Sequence, residues 1–247
     1  MISPLATGLY AALGVAGAAG LAAGGYAYAS LWPGSRIFGE GLVAPPNPGE
    51  LALTFDDGPN RVWTPRLLDT LASHGLRATF FLLGERAHAQ PGLVRRMVAA
   101  GHLIGNHSWG HPNLARCSSS RIREELERTS DTLQQIAAAP VRFFRPPFGA
   151  RRPVVFRIAR ELGLHPVLWN AMTPDWSEPS AERIAGQLAA KIDWLRRRGH
   201  AANIVLHDGG HHDEGANREP SIAAAGKIVA KYKDECRFVT LDAWKSS

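Results

Sequence analysis

The chain has 247 residues, of which 45% are apolar, so it can form one large α/β domain or two small ones with a buried core. Its net charge of +6 suits an anionic partner: acidic lipid headgroups, an acidic cell-wall polymer or a nucleic acid. No nucleic-acid-binding motif accompanies this charge, so we expect no nucleic-acid partner. Cys117 and Cys236 are too far apart in sequence for a metal site, and the sequence leaves open whether they pair.

The N-terminal 35 residues carry no charged side chain. Their apolar core, "LYAALGVAGAAGLAAGGYAYASLW", is long enough to span a bilayer as a helix. Three interpretations remain open: an uncleaved membrane anchor, a signal peptide cleaved at Ala27-Tyr28-Ala29, or a buried or disordered Ala/Gly segment. We expect residues 1–31 to be an anchor or a signal, so that the rest is membrane-anchored outside the cytoplasm or secreted.

Residues 32–49 are rich in proline and glycine, which predicts a linker. From residue 50 to residue 247, short apolar runs alternate with amphipathic helical patterns, and no second-domain boundary is visible. This alternation predicts parallel βαβ units, arranged as a barrel or a doubly wound sheet. Seven strands are predicted, at residues 51–55, 78–83, 102–105, 142–144, 165–169, 203–206 and 237–241.

Polar clusters follow five of the predicted strands. Asp56-Asp57 follows the first strand, "NHSWGH" the third, "FFRPPFG" the fourth, "LWNAMTPDW" the fifth and "IVLHDG" the sixth. Functional residues of parallel α/β folds gather beyond the carboxyl ends of the strands. The five clusters therefore predict one functional site on one rim of the sheet.

A metal site is predicted from His107, His111 and the aspartate pair. The two histidines are four residues apart, and on a helical turn that spacing places both imidazoles on one face. Two histidines and one carboxylate form a catalytic type of metal site with open coordination positions. One aspartate is expected to bind the metal, whose charge offsets the repulsion between adjacent carboxylates. The other aspartate is then free to accept a proton.

The motifs "TFDDGP", "HSWGH", "RPPFG", "DW" and "LHD", in this order, resemble those of the polysaccharide deacetylases. This is the NodB-homology family of carbohydrate esterases, family 4. The resemblance covers about residues 50–241 and implies an irregular (β/α) barrel of about seven parallel strands, here preceded by an N-terminal apolar helix. It also implies metal-dependent release of acetate from an N-acetylated sugar polymer or oligomer, such as peptidoglycan, a chitin-like chain or an exopolysaccharide. The implied cofactor is Zn²⁺ or another divalent ion, such as Co²⁺, Mn²⁺ or Fe²⁺.

Each functional position of the family is matched by a residue of these motifs. The matching residues are the metal ligands Asp57, His107 and His111; the general base Asp56 and its orienting Arg145; the general acid His207 and its pKa-setting partner Asp175; the oxyanion donor, the backbone N–H of Phe148; and the acetyl-pocket walls Trp176 and Leu206.

The sequence departs from the family pattern at Met172, where an aspartate is common, and this predicts a shifted pH optimum or substrate. The loop "GHHDEGANR" is expected to be a solvated active-site loop, with a second metal cluster as the alternative.

Two other functions stay open: a catalytically inactive glycan-binding module, and an O-acetyl esterase or a different amidase on the same fold. We expect the chain to act as a monomer.

Overall fold

The structure, a computed structural model, describes residues 20–244. The strands are β1 (Glu50–Gly58), β2 (Thr79–Leu82), β3 (Leu103–Asn106), β4 (Phe143–Phe144), β5 (His165–Pro166), β6 (Ala171–Met172), β7 (Ala202–His207) and β8 (Arg237–Phe238). The helices are α1, described over residues 20–31, α2 (Trp63–Ser73), α3 (Gly84–Ala89), α4 (Pro91–Ala99), α5 (Ser119–Ala137), α6 (Pro153–Glu161), α7 (Ala181–Arg197) and α8 (Glu219–Tyr232).

All the strands belong to one curled, parallel sheet. Their order is β5-β4-β3-β2-β1-β7-β6, and β8 pairs with the first two residues of β1. Each of the seven predicted strands is present, and the predicted α/β class with a parallel sheet is confirmed. Strand β6 was not predicted.

The central strand β1 separates two layers of side chains. Leu51, Leu53 and Phe55 belong to the large core between the sheet and the helices, whereas Ala52 packs with Phe81 in a smaller core on the inner face. Burying each large apolar side chain stabilises the fold by roughly 1.5–3 kcal/mol. Because side chains alternate along a strand, the polar residues at positions 54 and 56 share the inner face with Ala52.

The segment predicted as a linker contacts the β5 edge of the sheet and strand β7. Leu42 forms a parallel bridge with Val167, which follows the edge strand β5. One residue later, the carbonyl of Val43 accepts a hydrogen bond of 3.0 Å from Asn203 in β7. Residues 42–43 therefore lie between the β5 edge and the β7 side of the sheet.

Helix α1 packs against the domain at its C-terminal end, where Ala29 and Ser30 are buried. Between residues 20 and 244, no helix has the length and apolar character needed to cross a membrane. The part of the predicted anchor or signal that precedes residue 20 lies outside the described residues.

Candidate active site

The aspartate pair ends strand β1 in a conformation that directs both carboxylates into one cavity. Asp56 continues the strand alternation, whereas Asp57 has a left-handed backbone with φ of 68°, and the pairing register to β2 shifts between Asp56 and Gly58. Such an irregularity allows consecutive side chains to face the same side. The glycine is required because a Cβ at Gly58 would lie 2.6 Å from the buried carboxylate of Asp208.

Asp57, His107 and His111 bring one carboxylate oxygen and two imidazole nitrogens together. Asp57 Oδ1 lies 3.5 Å from His107 Nε2 and 3.3 Å from His111 Nε2, and ligating atoms of the three residues all lie within 4.8 Å of one another. His107 Nδ1 lies 2.7 Å from the carbonyl oxygen of Arg145. In the tautomer that carries its proton on Nδ1, His107 donates to this carbonyl and the Nε2 lone pair is directed towards Asp57.

The two histidines lie on an irregular loop after β3, so the predicted helical turn is wrong. Ser108 and His111 both have left-handed φ angles, 68° and 59°, which a helical turn does not contain. The buried carboxylate of Glu125 in α5 holds this loop by accepting hydrogen bonds from the backbone N–H groups of Trp109 and Gly110, at 2.7 and 3.1 Å. A carboxylate with two backbone donors replaces the helical hydrogen bonds that the loop lacks.

These three residues fit a divalent metal ion. Among residues 20–244, the buried Asp57 Oδ1 and His111 Nδ1 find no hydrogen-bond partner, and an unpaired buried carboxylate oxygen is costly. Burial, followed by the charge of His107, lowers the pKa of His111 to about 2, which leaves its imidazole in the neutral form that binds metals. Burial works to raise the pKa of Asp57, but His107 and then His211 hold it well below its usual range. A carboxylate and two neutral imidazoles are a donor set for zinc and similar ions.

Arg145 holds the other aspartate. Its fully buried guanidinium donates 2.7 Å hydrogen bonds to Asp56 Oδ1 and to Thr54 Oγ1, and it lies 4.1 Å from the centroid of the Phe81 ring. Removing one partner of a buried ion pair costs roughly 3–5 kcal/mol, because the other charge remains uncompensated. The pair therefore keeps Asp56 Oδ1 occupied and leaves Oδ2, which lies 3.9 Å from His107 Nε2, on the side of the metal ligands.

His207 and Asp175 form a second charged pair on the cavity. Asp175 Oδ1 lies 2.8 Å from His207 Nδ1, and its Oδ2 accepts hydrogen bonds from the His207 backbone N–H and from Ser221 Oγ, at 2.9 and 2.7 Å. Burial opposes the charged imidazolium, but the Asp175 carboxylate outweighs it and raises the pKa of His207 to about 9. His207 is therefore protonated at neutral pH and can donate a proton.

These groups surround a cavity of about 530 Å³. Two half-exposed aromatic side chains flank it. The ring of Trp176 meets that of His207 at a centroid distance of 5.3 Å, and the ring of Phe148 meets that of His111 at 4.5 Å, both edge to face. The cavity thus combines a metal-type donor set, a second carboxylate and an imidazolium with apolar walls.

A family model described as polysaccharide deacetylase matches residues 44–167. The chain belongs to the polysaccharide deacetylase family. A peptidoglycan-N-acetylglucosamine deacetylase from Bacillus cereus is 36% identical over 198 residues, which cover 80% of this chain and 68% of the relative. A chitooligosaccharide deacetylase from Sinorhizobium fredii is 38% identical over 188 residues, which cover 74% of this chain and 85% of the relative.

The fold agrees with the same family. The crystal structure of the Bc1960 peptidoglycan N-acetylglucosamine deacetylase, in complex with an N-oxidanyl-benzamide, superposes with a TM-score of 0.73 at 35% identity. The match covers 82% of this chain and 91% of that one. The predicted family is confirmed, and the chain is a hydrolase of the polysaccharide deacetylase type.

The structure of this deacetylase brings nine of the ten predicted site residues together around or against the cavity. Leu206 is the exception, because it is fully buried in the core between the sheet and the helices. Its neighbours Val205 and His207 line the cavity instead. The alternation of β7 already carried this signal, since residues on either side of Leu206 must face the opposite way.

Several further residues line the deacetylase cavity without having been predicted as site residues, among them Trp169, Val205 and Met172. Met172 was singled out only as a departure from the family pattern. His211 also reaches the cavity from the loop after β7. Its Nδ1 lies 3.3 Å from Asp57 Oδ2, and its ring stacks on that of His111 at 4.1 Å. Within residues 20–244, the one metal-type cluster is that of Asp57, His107 and His111, so this loop does not form a second one.

Proposed function

We propose that the protein removes N-acetyl groups from an N-acetylated glycan of the cell envelope and releases acetate. The observation that carries this proposal is the meeting of an aspartate base, a metal-type triad and a protonated histidine around one cavity. Together these groups can meet the demands of amide hydrolysis, since an amide is a poor electrophile and an amine is a poor leaving group. The relatives named for peptidoglycan and chitooligosaccharide deacetylation support this class of substrate.

Asp57, His107 and His111 are the proposed ligands of a divalent ion such as Zn²⁺. When bound there, the ion supplies Lewis acidity towards the acetyl carbonyl and lowers the pKa of a water molecule. Asp56 is the proposed general base that takes the proton from the attacking water. Its ion pair with the buried Arg145 fixes which oxygen faces the reaction.

The proposed acid is His207, which donates a proton to the leaving amine as the C–N bond breaks. Its pairing with Asp175 supplies the imidazolium form at neutral pH. The proposed oxyanion donor is the backbone N–H of Phe148, whose φ of 59° sets the direction of that peptide group. Trp176 is the proposed wall of the acetyl pocket, with Val205 rather than Leu206 on the β7 side.

We also propose the organisation of the whole chain. Residues 50–247 are the catalytic domain, and the contacts of residues 42–43 with both sides of the sheet support the irregular (β/α) barrel. Residues 1–31 deliver this domain outside the cytoplasm as an anchor or a signal. The exposed aromatic residues Tyr26, Tyr28 and Trp32 support a membrane interface at the end of α1. The net charge of +6 suits an acidic wall polymer as the substrate. A single chain carries every residue of the proposed site.

A substrate panel tests the proposed activity. The purified full chain with Zn²⁺ is incubated separately with N-acetylglucosamine oligomers, peptidoglycan and O-acetylated xylan, and the glycans are analysed by mass spectrometry. We expect loss of N-acetyl groups with matching release of acetate. Loss of O-acetyl groups alone would replace the proposal by an esterase, and binding without any loss of acetyl would make the protein a glycan-binding module.

A further inference from the structure

A buried arginine outside the predicted site joins the N-terminal segment to the loop of Phe148. The Arg151 side chain is fully buried, and its guanidinium donates hydrogen bonds to four carbonyl oxygens. These belong to Gly149 at 3.1 Å, Ser30 at 3.2 Å, Trp32 at 2.6 Å and Ser35 at 3.0 Å. Three of its four acceptors therefore come from the end of α1 and the turn that follows.

The backbone at Arg151 strengthens this connection. The Arg151 N–H donates to the Ser30 carbonyl at 3.1 Å, and Ser30 Oγ donates to the Arg151 carbonyl at 2.7 Å. In the part of the chain from residue 20 to residue 244, no carboxylate forms an ion pair with Arg151. Its charge is thus offset by carbonyl dipoles, including those at the C-terminal end of a helix, where cations are favoured. Without residues 30–35, a buried cation would lose most of its hydrogen bonds, which is a large cost.

The fourth acceptor lies next to the proposed oxyanion donor. Phe148 and Gly149 both have left-handed backbones, with φ of 59° and 64°, and a non-glycine residue in that region costs roughly 1–3 kcal/mol unless its surroundings hold it. Gly149 is held on both sides. Its N–H donates to the Pro146 carbonyl at 2.9 Å, and its carbonyl accepts from Arg151. A Cβ at Gly149 would also meet the Trp169 ring at 2.8 Å, so the loop has little room to relax.

We propose that Arg151 is a positioning residue for the Phe148 backbone, and that residues 30–35 complete this part of the active site by supplying its other acceptors. This inference rests on the proposed function, in which the Phe148 N–H stabilises the oxyanion. It makes the end of α1 a component of the catalytic unit in addition to any role in delivery. Cleavage at Ala27-Tyr28-Ala29 would leave all three acceptor carbonyls in place, so the inference holds for an anchor and for a signal.

The test compares Arg151→Gln and Arg151→Lys in the full chain. Arg152→Gln is the matched control, because Arg152 is the neighbouring arginine and donates to the Cys117 carbonyl instead of to the N-terminal segment. We expect Arg151→Gln to lower kcat by about tenfold to a hundredfold, the range for a catalytic group displaced by up to an ångström. KM and the metal content should stay unchanged, because no ligand is altered. The kcat of Arg151→Lys should lie between those of Arg151→Gln and the wild type. The kcat of Arg152→Gln should match that of the wild type.

Two further readouts separate positioning from a general loss of structure. The affinity for a phosphonate that mimics the tetrahedral intermediate should fall together with kcat, while the affinity for acetate stays the same. Hydrogen exchange followed by mass spectrometry should show faster exchange in residues 30–35 and 147–151 of Arg151→Gln, with α5 unchanged. If Arg151→Gln does not fold, Arg151→Lys takes its place in both measurements.

The outcomes distinguish this inference from the proposed function. Unchanged kcat in a folded Arg151 variant overturns the inference, and so does a kcat that falls only in proportion to the folded fraction while phosphonate affinity per folded molecule is kept. If the wild type releases no acetate from any N-acetylated glycan, the proposed function fails first. The exchange measurement then still decides whether Arg151 couples residues 30–35 to the Phe148 loop.

Discussion

Replacing Asp175 by asparagine tests how His207 is kept protonated. The carboxylate raises the pKa of His207 from 6.5 to about 9 against the effect of burial, a difference of roughly 3 kcal/mol in favour of the imidazolium. Asparagine has nearly the same shape and can still accept a hydrogen bond from Nδ1, but it carries no charge. The pKa of His207 should therefore fall towards 6.5, because burial is then opposed only by the smaller contributions of the Asp57 and Asp56 charges.

The effect on activity follows from the protonated fraction of His207. At pH 8, a pKa of about 9 leaves about nine-tenths of His207 protonated, whereas a pKa of 6.5 leaves about 3%, so kcat should fall about 30-fold from protonation alone. At pH 5.5 both forms are mostly protonated, and the variant should recover most of the wild-type kcat. Acetate release from an N-acetylglucosamine oligomer, measured between pH 5 and pH 10, gives the complete profile.

Ser221→Ala is the matched control for Asp175→Asn. Ser221 Oγ donates its hydrogen bond to the same carboxylate and not to His207. Its loss therefore keeps the charge of Asp175 and should leave the alkaline limb of the pH profile near its wild-type position. The acidic and alkaline limbs of the pH profile of kcat are properties of the coupled site. The comparison between the two variants therefore identifies the contribution of the Asp175 carboxylate. An alkaline limb of Asp175→Asn that coincides with that of the wild type would refute the reasoning.

Three further predictions concern the site, and a fourth concerns the N-terminal segment. Asp56→Asn should lower kcat by about 10² to 10⁴ while elemental analysis still finds one metal ion per chain, and a wild-type kcat would exclude this base. His111→Ala should lose most of its metal in the same analysis, and full metal content would exclude it as a ligand. Because folding raises the pKa of His207 to about 9, its contribution to the free energy of unfolding is complete below pH 6.5 and is lost as the pH rises through 9. Urea unfolding at several pH values should show this loss in the wild type but not in Asp175→Asn, and equal pH dependence would contradict it. A reporter that is active only after translocation should be active when fused after Ser247, and an inactive fusion that stays in the cytoplasm without membrane association would exclude both the anchor and the signal.

The sequence predicts the strands well, and it also predicts which residues gather at the carboxyl ends of those strands, because both depend on local patterns. Short apolar runs bounded by turn residues give all seven predicted strands, and the rule that parallel strands end at one rim brings Asp56, His107 and His207 together. Strand β6 is missed because its two residues, Ala171 and Met172, lie within the polar segment "NAMTPDW" and form no apolar run of their own. The pairing of Leu42 with Val167 is missed because proline-rich surroundings indicate a loop and carry no information about distant partners.

Backbone conformation and long-range burial explain the remaining differences. The left-handed φ angles of Asp57 and His111 depend on the loops that hold them, and a spacing of four residues cannot distinguish such a loop from a helical turn. Leu206 was assigned by motif position although the alternation of β7 places it in the core. Arg151 belongs to an arginine pair that is typical of a solvated surface, and only the tertiary structure shows that it is buried.

Metal dependence of N-acetyl hydrolysis tests the account most directly. The full chain is stripped with a strong chelator, and the release of acetate from N-acetylglucosamine oligomers is measured before stripping, after stripping and after addition of Zn²⁺. Acetate release should disappear on stripping and return with Zn²⁺, with one ion bound per chain. Asp57→Asn should bind little Zn²⁺ and stay inactive. Acetate release that persists in fully stripped protein, or in Asp57→Asn at the wild-type rate, would contradict the account.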